Sequence, residues 1–303
     1  MRKAILLVSV VLILAAGAGT LPLFGQDKLT SEPDPSYRED AVSVRRHPEV
    51  DTNVFLYINH WRNSLPAVGH GGLIERDILT PGDPLHPARK GAVLRYIKAY
   101  RRAALEPKSD TRPVRSDNEQ AFYYVMSGTG SVEGGGKIAP LEEGTAVFIP
   151  AGLEYRFHNP SEASLEMIQV IEGITPGFVP NTALSIGSYH DAEPASGHHW
   201  AHIARAFLYD VAPKFCNPMG FVTVSMDALD IAQPHTHGPG TEEIWCQVKG
   251  TSLLFFGNRL LRQEPGEAFL IPPNNKVPHS SINPGQGAVL WLYMGCRHEE
   301  DAK

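Results

Sequence analysis

Cysteine is scarce in this chain, and its scarcity limits what can hold the fold together. Among 303 residues there are three cysteines, Cys216, Cys246 and Cys296. An odd number leaves at least one thiol unpaired in a monomer, and a chain of this length buries a core without a disulfide framework. Because Cys246 and Cys296 lie in apolar, strand-like runs, we predict that both are buried free thiols.

Positive charge and long amphipathic helical patterns are also scarce. The formal net charge of −6 provides no basic field for nucleic acid, so we expect no such partner. Hydrophobic residues form 42% of the chain and charged residues 20%, a balance that supports a packed core and excludes wholesale disorder. The 28 glycines and 25 prolines favour many short strands joined by turns, and therefore an all-β fold.

The first 25 residues have the pattern of an export signal. Arg2 and Lys3 form a short basic region, residues 4–18 are apolar or small apart from one serine, and residues 16–18 form a small-x-small cleavage site. An uncleaved anchor is the alternative, because the apolar run extends to Phe24 and approaches the roughly 20 residues that span a bilayer. Glycines and a proline interrupt this run, so cleavage is favoured. We predict a signal peptide over 1–25, a periplasmic or secreted protein, and no stable membrane association after cleavage.

Strand-like apolar runs separated by glycine and proline clusters follow a polar linker or arm over residues 26–50. The predicted strands are Val54–Ile58, Ala92–Tyr100, Ala121–Met126, Ala146–Ile149, Leu165–Ile171, Phe221–Met226, Ile244–Val248, Ser252–Phe256, Ala268–Ile271 and Ala288–Met294. Residues His198–Tyr209 are the best candidate for a helix or irregular connector between two halves.

A nearly constant offset relates these halves. Three turn or strand-end residues recur 122 positions later: Gly128 as Gly250, Gly144 as Gly266, and Pro150 as Pro272. Asn159 recurs as Asn283 at an offset of 124, because residues 273–276 carry a two-residue insertion. Such an offset implies a duplicated β unit. We therefore expect one domain over 51–190 and another over 191–303.

The second half carries a set of metal-binding side chains. His235 and His237 are two positions apart, so both point to one face if this segment is extended. A glutamate at position 242 or 243 follows on the next strand, and His279 comes from a later one. Three imidazoles and one carboxylate suit a first-row divalent metal.

These residues resemble the cupin superfamily, whose motifs are Gly-x5-His-x-His-x3-4-Glu-x6-Gly and Gly-x5-Pro-x-Gly-x2-His-x3-Asn. Counting back from Gly250 selects Glu243 as the ligand, whereas counting forward from His237 with four intervening residues selects Glu242; we favour Glu243. The turn glycine of the second motif is absent, and Asn274 or Asn275 can supply the positive φ instead. The resemblance implies two tandem cupin barrels, of the double-stranded β-helix or jelly-roll type.

The first half shares this outline without the ligands. At the equivalent positions stand Ala121 and Tyr155, and residues 113–115 hold no His-x-His pair. We predict no metal there and favour a structural role; the alternative is an organic ligand held by Tyr123, Tyr155 and Arg156. His70, like the other histidines outside the motif, belongs to no complete metal set.

The resemblance implies a metal but not a reaction, because cupins include isomerases, lyases, dioxygenases and binding proteins. We expect one divalent transition metal (Mn, Fe, Zn, Ni or Cu) and, as the leading hypothesis, an isomerase- or lyase-type enzyme. Its partner would be a small sugar, sugar acid or hydroxy/keto acid chelated to the metal, and a homodimer is allowed. A dioxygenase and a non-catalytic metal- or sugar-binding protein are the alternatives. Glu242 and Gln247 are the predicted catalytic residues.

Overall fold

The computed structural model describes residues 52–192, 194–196, 202–206 and 218–298. In chain order the first strands are β1 (Ile58–His60), β2 (Ala67–Gly69), β3 (Leu73–Pro81), β4 (Ala92–Leu94), β5 (Ile97–Leu105), β6 (Ser109–Asp110), β7 (Glu119–Ser127), β8 (Gly130–Gly134), β9 (Lys137–Leu141), β10 (Thr145–Ile149), β11 (Tyr155–Asn159), β12 (Leu165–Gly173) and β13 (Ser185–Ser188). The remaining strands are β14 (Pro194–Ser196), β15 (His202–Ala206), β16 (Pro218–Met226), β17 (Thr241–Lys249), β18 (Ser252–Phe256), β19 (Arg259–Gln263), β20 (Glu267–Leu270), β21 (His279–Ile282) and β22 (Val289–Arg297).

The described residues contain two short 3-10 helices, Val54–Leu56 and Trp61–Asn63, and no α-helix. The predicted all-β class is therefore confirmed. Within the same residues, no helix has the length and apolarity needed to cross a bilayer.

The strands form two barrels, each made of a large and a small sheet. In the first barrel the large sheet runs β13-β10-β7-β12-β5-β3-β2 with β4 beside β3, and the small sheet runs β6-β11-β8-β9. In the second, the large sheet runs β1-β20-β17-β22-β16-β15-β14, and the small sheet runs β19-β18-β21. The central order 10-7-12-5 of the first barrel matches 20-17-22-16 of the second, which confirms the tandem barrels.

The strand boundaries repeat at the offset seen in the sequence. Strands β7, β8 and β9 begin and end 122 residues before β17, β18 and β19, and β12 begins and ends 124 residues before β22. The turn glycines agree as well, because Gly128 and Gly250 have φ of 86° and 75°. A Cβ on Gly128 would lie 2.3 Å from the carbonyl oxygen of Ser164, so only glycine fits this turn.

Two buried asparagines close the same loop in each barrel. The side-chain Nδ2 of Asn159 donates to the carbonyl oxygens of Leu105, Glu106 and Ala163 at 2.8–3.0 Å. Asn283 repeats the pattern, donating to the carbonyl oxygens of Met226, Asp227 and Gly287 at 2.8–3.3 Å. Each asparagine therefore shares its two amide protons among three backbone acceptors that would otherwise lose water on burial.

Three predicted elements differ from the structure. Residues Val54–Ile58 are not a strand; a 3-10 turn is followed by β1, which pairs with β20 of the second barrel. The predicted strand Ala92–Tyr100 breaks at Arg95 and Tyr96 into β4 and β5. The predicted helix or connector His198–Tyr209 contains strand β15 instead, and its other residues lie outside the described part, as do residues 1–51 and Cys216.

Strand alternation gives the protein two apolar cores. Alternate residues of β7 such as Tyr123 and Val125 line the interior of the first barrel. Phe122, on the opposite face of β7, packs against Phe221 of the second barrel with ring centroids 5.5 Å apart. The large sheets therefore meet face to face at a seam. Cys246 and Cys296 are both buried in this second core, as predicted.

Candidate metal centre

Four side chains of the second barrel converge on one point. The structure brings together His235, His237, Glu243 and His279, and one ligand atom from each lies within 4.8 Å of the others. Glu243 is in β17, His279 opens β21, and His235 pairs with His279 through an isolated antiparallel bridge. Backbone hydrogen bonds of 2.9 and 3.2 Å between these two histidines hold their side chains together.

The geometry around Glu243 is compact. Its Oε2 lies 3.1 Å from His237 Nε2, and its Oε1 lies 3.6 Å from His279 Nε2. Glu243 and His279 are each only 4% exposed. The loop before His279 contains Asn275, which adopts the positive φ that was predicted for Asn274 or Asn275. The backbone N–H of Asn275 donates to the carbonyl oxygen of His237.

Two further side chains hold the carboxylate in place. Trp245 Nε1 donates to Glu243 Oε1 at 2.7 Å, and the Tyr293 hydroxyl donates to Oε2 at 3.4 Å. The sequence analysis did not identify either Trp245 or Tyr293. The signal for Trp245 is its i+2 spacing along β17; Tyr293 comes from β22 and has no local signal.

Burial and neighbouring imidazoles set the protonation of the cluster. Burial opposes the charge of Glu243, but the adjacent His237 and His279 imidazoles bring the pKa of its carboxyl well below the usual range. Burial lowers the pKa of His279, which favours the neutral imidazole. An ionised carboxylate and a neutral imidazole are the forms that coordinate metals.

The residues present fit a divalent metal. Both ring nitrogens of His279 are buried and make no hydrogen bond, an arrangement that costs free energy unless another group contacts them. Three imidazoles and a carboxylate provide borderline and hard donors of the kind bound by Mn, Fe, Ni, Cu or Zn. The cluster is therefore a candidate divalent metal site built from the four predicted ligands.

Glu242 does not face this cluster. It lies on the opposite face of β17, where its carboxylate accepts hydrogen bonds from the backbone N–H groups of Arg95, Tyr96 and Ile97 at 2.5, 3.2 and 2.8 Å. Burial raises the pKa of Glu242 to about 7, although the three N–H donors oppose the rise. The side chain joins the second barrel to the β4–β5 turn of the first, and these contacts give no support to its predicted catalytic role.

Gln247 is also occupied elsewhere. Its Nε2 donates to the carbonyl oxygens of Lys249 and Gly250, and its Oε1 accepts from the Ser252 hydroxyl at 2.9 Å. The side chain shares the inward face with Glu243, but its hydrogen bonds close the β17–β18 turn. Its predicted catalytic role has no support from these contacts.

The structure also corrects which residues of the first barrel replace the ligands. The bridge between Val114 and Tyr155 is the counterpart of the bridge between His235 and His279. The offset there is 121, so Val114 and Ser116 stand in place of the two histidines, rather than residues 113 and 115. With Ala121 and Tyr155, the first barrel has none of the four metal ligands.

Comparison with known proteins agrees with this architecture. Residues 101–171, in the first barrel, match the family described as Cupin domain. No curated protein matches the chain. Among solved structures, a putative glyoxylate-induced protein from Pseudomonas aeruginosa is 15% identical with a TM-score of 0.61, over 80% of this chain and 88% of that one.

Two other structures show the same fold. AerE from Microcystis aeruginosa is 14% identical with a TM-score of 0.56, over 80% of this chain and 100% of that one. A variant of oxalate decarboxylase from Bacillus subtilis is 13% identical with a TM-score of 0.59, over 80% of this chain and 77% of that one. The chain therefore has the bicupin fold, two cupin barrels in tandem, with its His/Glu cluster in the second.

Proposed function

We propose that this chain is a metal-dependent enzyme of the isomerase or lyase type that acts on a small oxygenated molecule. The observation that carries the proposal is the buried cluster of His235, His237, Glu243 and His279, with ligand atoms within 4.8 Å of one another. Packing a barrel of this kind does not require such a set, because the first barrel packs its core without these four ligands.

The recess beside the cluster is small. It has a volume of about 10 Å³, room for about one water-sized group. It is lined by His235 and His279, by the aromatic rings of Trp245 and Phe269, and by small polar groups that include Ser280 and Ser281. None of the residues that line this recess is a lysine or arginine. A divalent metal held by four protein ligands would keep open positions and act as a Lewis acid toward substrate oxygens.

The chain's own residues would hold the reacting groups in place. Trp245 and Tyr293 fix the Glu243 carboxylate by hydrogen bonds to different oxygens. Burial and the charge of Glu243 raise the pKa of Tyr293 well above its usual range, so this hydroxyl keeps its proton and remains a donor. The rings of Trp245 and Phe269 give the recess apolar walls.

The neighbouring structures support a hydroxy or keto acid among the candidate substrates. One neighbour is a putative glyoxylate-induced protein and another is oxalate decarboxylase, and both names refer to two-carbon acids. Adjacent oxygens of such acids can chelate a metal. A sugar or sugar acid presents vicinal oxygens in the same way and stays within the proposal.

A metal analysis followed by turnover assays tests this function. The mature chain is purified, reloaded separately with Mn, Fe, Ni, Cu and Zn, and analysed for bound metal. Conversion of glyoxylate, oxalate, simple hydroxy acids and sugar acids is then followed with and without O2. We expect about one metal per chain and oxygen-independent turnover that is lost in H279Q.

Each other outcome points to a different class. A strict oxygen requirement would indicate a dioxygenase and overturn the isomerase or lyase assignment. Stoichiometric metal without turnover of any candidate would indicate a binding protein. A matched control is Y155F, at the position in the first barrel that corresponds to His279; it should retain metal and turnover.

Export remains part of the proposal, supported by the basic, apolar and small-residue pattern of residues 1–25. Expression of the full chain in a Gram-negative host, followed by fractionation and N-terminal sequencing, tests it. Recovery in the periplasm with a new N-terminus between residues 18 and 26 is the expected result. A full-length chain retained in the cytoplasm would contradict export.

A further inference from the structure

The first barrel has no metal ligands, yet its interior contains a buried network of polar side chains. Glu75, Tyr123 and Gln169 are 5%, 0% and 0% exposed. Gln169 Nε2 lies 3.2 Å from Glu75 Oε1 and 3.1 Å from the Tyr123 hydroxyl. Burying such groups costs free energy unless they have a structural or ligand-binding purpose, so this network requires an explanation.

A tightly packed glycine loop brings His70 into the network. His70 has a φ of 37°, which is unusual for a residue with a side chain. A Cβ on Gly69 would lie 2.4 Å from Glu75 Oε2, and one on Gly71 would lie 2.3 Å from the carbonyl oxygen of Arg112. Glycine permits these close approaches, so the loop packs tightly against the barrel. The loop places the imidazole of His70 within the network.

The contacts of His70 orient its ring. Its Nδ1 contacts Glu75 Oε1 and lies 3.0 Å from Gln169 Nε2. Burial alone would raise the pKa of Glu75, but His70 and Arg101 bring it below its usual value, so Glu75 is a carboxylate and accepts the Nδ1 proton. With Nδ1 directed at Glu75, Nε2 is the ring nitrogen left for a ligand, and it has no hydrogen-bond partner within residues 52–192.

A second chain of hydrogen bonds orients Tyr155. Gln169 donates to the Tyr123 oxygen at 3.1 Å, so the Tyr123 hydroxyl is free to donate to the Tyr155 oxygen at 2.9 Å. With its oxygen accepting, Tyr155 has its own proton available for another acceptor. His70 Nε2 and the Tyr155 hydroxyl are therefore the two polar groups left for a ligand.

Both groups line the same recess. Its walls include His70, Tyr155, Ser116 and Ala121, so it occupies the position that the metal cluster has in the second barrel. The recess has a volume of about 20 Å³, enough for one water-sized group. It shares Leu153 and Tyr155 with an open outer cleft of about 460 Å³.

The charges near this recess are already paired. Arg101 lies 3.0 Å from Glu75, Lys98 lies 3.0 Å from Glu119, and Arg156 lies 2.6 Å from Glu133 at the edge of the cleft. None of these cations is left to neutralise an anionic ligand. An uncharged molecule that both donates and accepts hydrogen bonds fits the recess better than a carboxylate or phosphate.

We propose that the first barrel is a second binding site, for an uncharged polyhydroxy molecule of the polyol or sugar class. One hydroxyl enters the recess, donates to His70 Nε2 and accepts from the Tyr155 hydroxyl, and the rest of the molecule occupies the outer cleft. The site is independent of the metal cluster, so it stands or falls separately from the proposed catalytic function.

Titration of the full-length, metal-loaded protein with xylitol and D-glucose tests the site, using calorimetry and ligand-observed NMR. Acetate and oxalate serve as anionic probes. We expect saturable binding of at least one neutral probe, weakened at least tenfold in H70A and in Y155F with metal content unchanged. The matched control H279Q should lose metal and keep polyol binding.

Several outcomes would overturn the proposal. These are no saturable binding of either neutral probe, binding of the anions alone at this site, or neutral binding that H70A and Y155F leave unchanged. Y155F removes a single oxygen, so it keeps the test decisive if H70A fails to fold. A recess that holds only water would give no saturable binding of either neutral probe.

Discussion

At positions 121 and 155 the first barrel has alanine and tyrosine, whereas the equivalent positions of the second have Glu243 and His279. The strands that carry these residues nevertheless begin at equivalent positions in the two barrels. Backbone geometry therefore does not decide which barrel has the cluster of His and Glu side chains. The difference lies in the side chains that point inward from the same scaffold.

The supporting side chains differ in a related way. Tyr123 and Gln169 of the first barrel are equivalent to Trp245 and Tyr293 of the second. In the second barrel both donate to one carboxylate, Glu243. In the first they form a directed chain that ends at a hydroxyl. The same arrangement of strands can therefore hold either a cluster of metal-binding side chains or a hydrogen-bond network.

The largest expected effect would come from removing the metal ligands. E243Q should lower metal affinity by more than the roughly 100-fold that loss of a supporting group can cost, because it removes the anionic ligand itself. Y155F, in the equivalent region of the first barrel, should leave metal affinity unchanged. Elemental analysis and competition with a chelator measure both, and equal loss in the two variants would contradict a site confined to the second barrel.

Glu242 is expected to hold the barrels together. E242A leaves the N–H groups of Arg95, Tyr96 and Ile97 without their acceptor, and we expect it to lower the free energy of unfolding by about 3 kcal/mol. Urea denaturation measures this. Turnover per metal-loaded, folded chain should be close to wild type, and E242Q, which keeps an acceptor, should lose less. A large fall in turnover with unchanged stability would restore a catalytic role.

The raised pKa of Glu242 also predicts a pH dependence. Its pKa is about 7 in the folded chain against 4.5 as the ordinary value, so the folded state binds this proton more tightly. The contribution to stability is complete below pH 4.5 and is lost as pH rises through 7, by about 3 kcal/mol. Unfolding free energies of wild type and E242Q across this range should diverge; parallel curves would contradict the shift.

Replacing either of the two equivalent asparagines should lower the free energy of unfolding by the same amount. N159A and N283A each remove three hydrogen bonds to backbone carbonyls, so we expect each to lower the free energy of unfolding by about 2 kcal/mol. Each variant is the control for the other, and thermal denaturation of metal-free protein measures both. Very unequal values would contradict the structural equivalence of Asn159 and Asn283.

The smallest effect is expected at Gln247. Q247M removes the hydrogen bonds that close the turn between β17 and β18 and should lower stability by about 1 kcal/mol. Metal content and turnover should stay close to wild type. Loss of turnover at constant stability and metal content would support the catalytic role predicted for Gln247.

The sequence was sufficient for the repeat and the ligands because their signals are local. Turn residues such as Gly128 and Gly250 are required by positive φ, so they recur at a fixed offset. The ligands His235, His237 and His279 are recognisable by residue type and spacing. These features predicted the tandem barrels and the composition of the candidate site.

Other features depend on residues far apart in the chain. Glu242 contacts Arg95 across 147 positions, and Gln169 contacts His70 across 99, so neither contact leaves a local pattern. The break at Arg95 and Tyr96 was missed because that turn contains neither glycine nor proline and interrupts an apolar run. The sequence analysis therefore could not predict contacts between distant residues or turns that lack typical turn residues.

Strand β1 has a consequence for how the protein is made. Residues Ile58–His60 pair with Phe269, Ala268 and Glu267 of the second barrel, although the first barrel lies between them in the chain. During synthesis this segment leaves the ribosome more than 200 residues before its partner. The second barrel therefore cannot be completed until nearly the whole chain has emerged. A gene cut between the two halves would separate β1 from its sheet, so the barrels are expected to be inherited and expressed as one piece.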